Sequence, residues 1–138
     1  EHGDSMVPIW SSASIGGLPL EKYPGYTQKL GQDTFIRAKT SGAEMIKKKT
    51  GAGYAVGVSI AEVVHAIALD SKRILPISSV QRGCYGLRDV ALSVPTIVGR
   101  DGAEKPLEIE LWPKEVQALK RSGAILQETL SKVLAGSH

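Results

Sequence analysis

The chain is 138 residues long, 42% hydrophobic and 22% charged, with seven prolines and a mean hydropathy of −0.05, which suits one ordinary globular domain and excludes a second one. Its net charge of +3 comes from scattered basic residues, Lys47, Lys48 and Lys49 apart, so no nucleic-acid-binding face is predicted. One cysteine, Cys84, allows no internal disulfide and no zinc-ligand spacing occurs, so a metal-free, cytoplasmic protein is expected. No apolar run approaches the ~20 residues that cross a bilayer, and no signal peptide is seen, so no membrane partner is expected.

In chain order, Met6 to Leu20 mixes apolar and small residues around Gly16 and Gly17 and predicts a short strand or helix followed by a loop. Pro24 and Gly25 mark a loop that runs to Gln32. A helix follows, capped by Asp33 or Thr34, with a modest stripe of Phe35, Ile36, Ala38, Ala43 and Ile46. Gly51 ends it, and Lys47 to Lys49 lie in its last turn, where cations complement the helix dipole. Ile60, Val63, Val64 and Ile67 recur at helical spacing and predict a buried helix ending near Asp70.

The β-branched runs Arg73–Gln81 and Val90–Val98 predict two strands. Leu107 to Leu111 alternates strictly and predicts a third, entered through a hairpin turn at Gly99-Arg100-Asp101-Gly102. The three are expected to be antiparallel neighbours. Pro113 opens a long helix with a stripe of Val116, Leu119, Gly123, Leu126, Leu130 and Val133. Helices, then strands, then a helix predict an α+β fold, an antiparallel sheet packed with long helices.

Few residues stand out for chemistry. Gly51, Gly53 and Gly57 tempt a dinucleotide-binding reading, but a strand must precede such glycines and here a helix end does, so a joint between helices is expected. His65 is expected to be a boundary residue and Cys84 a structural thiol with no basic group to activate it. His2, in the polar run Glu1-His2-Gly3-Asp4-Ser5, could be held in a turn for proton transfer, although a histidine so near a chain end is most often disordered.

Glu1-His2-Gly3-Asp4-Ser5, then Val7-Pro8-Ile9-Trp10-Ser11, then Gly16 to Leu20, resembles the start of the C-terminal substrate domain of the L-lactate/malate dehydrogenase family. The resemblance continues through Thr50–Gly57, Tyr85–Gly99 and the last helix, as far as Leu134. It implies a two-domain enzyme in which an N-terminal Rossmann domain, absent from this sequence, binds NAD. His2 matches the catalytic histidine, the acid/base for a small 2-hydroxy or 2-oxo acid. Ala52 matches a position beside the substrate, and Val56 one against the nicotinamide ring. Ala52 points toward malate enzymes and Val56 toward lactate enzymes; Asp89–Gly99 tips the expectation to L-lactate dehydrogenase.

The alternatives are a malate dehydrogenase of the same family and a non-catalytic assembly module. The resemblance further implies a homo-oligomer and, since the upstream aspartate, arginines and glycine-rich loop are not in this sequence, an inactive isolated chain. Residues 1–135 are expected to form this domain, within a fragment of something longer, and residues 136–138 (Gly136, Ser137 and His138) a tag or linker scar. Surface freed from the partner domain, near Trp10 and Gly51–Gly57, is expected to promote self-association. Trp112 departs from the family's usual Thr or Ser helix cap, at an expected cost of ~1 kcal/mol.

Overall fold

The computed structural model describes residues 5–48 and 53–136. A small hairpin, β1 (Ser14–Ile15) and β2 (Leu18–Pro19), turns at Gly16 and Gly17, whose φ of 58° and 84° are open to glycine at little cost. Two helices follow, α1 (Gln28–Lys48) and α2 (Gly53–Ala68). The antiparallel sheet β3 (Arg73–Arg82), β4 (Arg88–Gly99), β5 (Gly102–Pro106) comes next, in that spatial order, and α3 (Pro113–Ala135) closes the domain. The α+β expectation holds, as do the two β-branched strands, the hairpin at Gly99–Gly102 and the long helix opened by Pro113.

The core lies between β4 and α3. Alternate residues Val90, Leu92, Val94, Thr96 and Val98 on β4 are buried, and Leu87 and Leu119 join Val90 and Leu92 in one cluster. The helix crosses closely at Gly123, where a Cβ would lie 2.7 Å from Leu87 Cδ2. Cys84 is buried beside this core. Burial, and then the Glu108 carboxylate, push its thiol pKa up, which fits an inert structural thiol. Where β3 begins, Lys72 Nζ bridges Asp70 (2.9 Å) and Glu104 (2.7 Å), while Asp70 accepts the Arg100 N–H at 2.7 Å, clamping the hairpin tip.

Several expectations fail for physical reasons. Leu107–Leu111 is not a strand; the ladder belongs to Gly102–Pro106. The Leu107 N–H still bonds Pro95 O at 2.7 Å, but Pro95 has no N–H to return the bond, and the ladder ends there. The alternation survives in burial, because Leu107, Ile109 and Leu111 are half-buried while Glu108 and Glu110 are exposed. The Tyr85 hydroxyl replaces the missing ladder partner, accepting from Ile109 N at 2.7 Å. Helix α1 starts at Gln28, earlier than expected, because Thr27 Oγ1 accepts the Leu30 N–H and caps it.

Helix α2 is not a buried helix. Ala66 is its sole buried residue, and Tyr54 is 91% exposed. Likewise the α3 stripe is covered at Leu119 and Gly123 but open at Leu130 and Val133, and α1 buries only Gly31, under the Tyr26 ring. A compact monomer of this mass exposes about 6,900 Å². This fold exposes 10096 Å². Its helices present surface that the domain itself does not cover.

Candidate functional site

Of the three residues singled out by resemblance, His2 and Ala52 lie outside the described residues. What the structure does describe is the scaffold on either side of them. Downstream of His2, the extended segment Ser5–Ser11 runs along α3 and is fastened to it twice. Ser122 Oγ donates to Ser5 Oγ at 3.1 Å, and Glu115 takes the other end. Those two anchor residues are seven positions apart, about 10 Å along the helix.

Glu115 is the residue sequence reasoning missed. Only 3% exposed, it accepts the Trp10 N–H (2.7 Å) and the Ser11 N–H (3.1 Å) at Oε1 and the Trp112 N–H (3.0 Å) at Oε2. Burial alone would raise its pKa. The Ser11 hydroxyl and the backbone N–H groups of Trp112, Ser11 and Trp10 outweigh that and hold the carboxyl below its ordinary 4.5. The third residue of a helix reaching back to the cap N–H is half of a capping box, so a signal existed in the spacing Trp112 to Glu115. The same bond offsets the missing Ser or Thr cap, and Lys114 Nζ stands 4.7 Å from the Trp112 ring centre. Trp10 is half-buried in this arrangement rather than a freed surface.

Val56 sits in the first turn of α2, 52% exposed, in a shallow groove of about 520 Å³ lined by Ala55, Val56, Ser59, Ile60, Val63 and Val64. The groove is made by α2 alone, so the described residues do not bring Val56 together with the Ser5–Ser11 segment. It offers an apolar face, its one hydroxyl, Ser59 Oγ, donating to Ala55 O at 3.2 Å. Among the described residues, the element ahead of α2 is helix α1, where a dinucleotide fingerprint needs a strand. His65 is exposed on α2. Among the described residues no three His, Cys, Asp or Glu side chains group to hold a metal, and no helix is long and apolar enough to cross a membrane.

The family profile of the lactate/malate dehydrogenase α/β C-terminal domain matches residues 1–136. An L-lactate dehydrogenase of Synechococcus sp. (strain JA-3-3Ab) is 37% identical over 134 residues, 96% of this chain and 44% of that protein. A malate dehydrogenase of Chlorobium phaeobacteroides is 38% identical over 138 residues, 96% of this chain and 43% of its own length. In three dimensions, the minor L-lactate dehydrogenase of Enterococcus mundtii matches with a TM-score of 0.91 at 29% identity, over 96% of this chain and 44% of that one. The chain thus spans under half the length of the relatives it matches. It belongs to the lactate/malate dehydrogenase family and has that family's α/β C-terminal domain.

Proposed function

We propose that this domain is the substrate-binding and proton-transfer half of an NAD-dependent L-lactate dehydrogenase whose cofactor domain precedes it in a longer protein. The observation that carries the reading is the fastened segment Ser5–Ser11. Ser122 holds the chain three residues beyond His2 and Glu115 holds it again at Trp10 and Ser11, in a stretch that the family profile matches from its first residue. A proton-transfer group must be held within hydrogen-bond reach of the reacting atom, and a fixed backbone is one part of that.

In this reading the His2 imidazolium gives its proton to the carbonyl oxygen of a 2-oxo acid, and the neutral ring takes the hydroxyl proton back in reverse. Bound NAD supplies or accepts the hydride. Val56 fits the nicotinamide ring, since an exposed apolar side chain on the first turn of α2 can lie flat against it and exclude water, and Ala52 stands one residue before that helix. The phosphates are left to the preceding domain.

The chain alone is therefore expected to bind NADH weakly and turn over nothing. A fluorescence titration of NADH with the isolated chain should show no saturation in the micromolar range; micromolar binding would refute this division of labour. A malate dehydrogenase is the second reading, favoured by the Chlorobium relative and by the small Ala52. The exposed face of α2 and the large accessible surface support an assembled protein, which we read as a homo-oligomer; a small 2-hydroxy acid as substrate and a cytoplasmic location follow from the dehydrogenase reading alone.

A further inference from the structure

Helix α3 meets the core through one short stretch. Its buried residues are Glu115, Leu119, Ser122 and Gly123, and Gly123 brings it so close that a Cβ there would lie 2.7 Å from Leu87 Cδ2. Ser122 is 2% exposed, placed where the helix can least move. Its hydroxyl differs from others on the helices. Thr40, Ser41, Ser59, Thr129 and Ser131 each donate to a carbonyl of the preceding turn of their own helix. Ser122 donates instead to Ser5 Oγ at 3.1 Å, across 117 positions of sequence. An alanine would fill that place with no hydroxyl to satisfy and with better helix propensity, so packing alone does not call for a serine there.

We propose that Ser122 is a positioning residue for proton transfer, acting through Ser5 to set where His2 stands. This deepens the dehydrogenase reading above and rests on it. Chain length is what makes the bond matter. Ser5 is three residues after His2, whereas Trp10, where Glu115 fastens the chain again, is eight after it. An extended chain covers at most about 3.5 Å per residue, so the bond confines His2 to within about 10 Å of a fixed point. Without it the free span grows to about 28 Å. Gly3 lies inside that span and loosens it further.

Packing is a poor substitute for the bond. Met6 and Val7, the next two residues, are half-buried beside open depressions of about 620 Å³ and 470 Å³ along α3. Whatever precedes Glu1 holds His2 from one side only, and an acid that must meet its carbonyl to within about 0.5 Å needs both sides fixed. A misplacement of about 1 Å costs up to roughly 10²-fold in rate.

The test is steady-state turnover of pyruvate and oxaloacetate by the longer protein. Ser122→Ala should lower kcat by roughly 10- to 100-fold, leave KM for the 2-oxo acid unchanged, and move the unfolding midpoint by no more than about 5 °C. In a His2→Gln background the same substitution should cost nothing further, because the group it positions is gone. Ser5→Ala, at the half-buried end of the same bond, should reproduce the loss and serves in its place if Ser122→Ala does not fold. An unchanged kcat, or a raised KM with kcat intact, would overturn the proposal. So would an equal further loss in the His2→Gln background, which would make Ser122 a support of the fold in general. Wild type that turns over neither acid would overturn the dehydrogenase reading and this proposal together; wild type that turns over while Ser122→Ala matches it would overturn this proposal alone.

Discussion

Glu115→Ala is expected to lower the stability of the domain by about 3 kcal/mol, or its midpoint by about 10 °C, one of the largest losses available from a single side chain. Three backbone donors, on Trp10, Ser11 and Trp112, lose their acceptor together in a place where water does not readily replace it. Glu115→Gln keeps one oxygen of the right shape and should lose roughly half as much. The pH dependence follows from the direction of the shift. The folded carboxyl titrates below 4.5, so its stabilisation is complete above the unfolded value and is lost as pH falls through the folded one. Wild type should therefore lead Glu115→Gln at pH 7 and converge on it in acid, as urea titrations at several pH values would show. A constant gap down to pH 3 would mean that packing, not the charge, ties Trp10 and Ser11 to α3.

His2→Gln is expected to act on rate rather than on folding. In the longer protein it should reduce turnover of the 2-oxo acid by roughly 10²–10⁴-fold, the usual contribution of a positioned general acid. The residue lies in a polar stretch ahead of the first anchor at Ser5, so its loss should leave the unfolding midpoint where it was. Glutamine keeps a hydrogen-bond donor but cannot carry the proton. The residual rate should thus lose the pH dependence that a titrating imidazole gives the wild type. An unchanged pH profile with a lower rate would make His2 a binding group and move proton transfer elsewhere.

The sheet was legible because β-branched runs bounded by glycine have few other uses, and Gly99-Arg100-Asp101-Gly102 marks its turn with little ambiguity. Leu107–Leu111 shows the limit. Alternation reports which side chains face inward, and burial obeys it, but a ladder also needs an N–H opposite, which Pro95 withholds. Helices α1 and α2 show a second limit. Apolar spacing says that a face wants cover without saying whether this stretch of chain provides it, and here much of that face is open. Glu115 went unseen because a glutamate in a first turn is ordinary, and the tryptophan in the cap position hid the box that pairs with it. His2 and Ala52 were reached by resemblance and not by spacing, which is why their roles rest on experiment.

The most direct measurement is the oxidation of NADH by the protein that carries this domain behind its cofactor domain, with pyruvate and oxaloacetate supplied in turn. The account predicts turnover with preference for pyruvate. Preference for oxaloacetate would make the enzyme a malate dehydrogenase and Ala52 the better guide to its pocket. Turnover of neither acid would contradict the account and leave a folded module whose histidine does no chemistry.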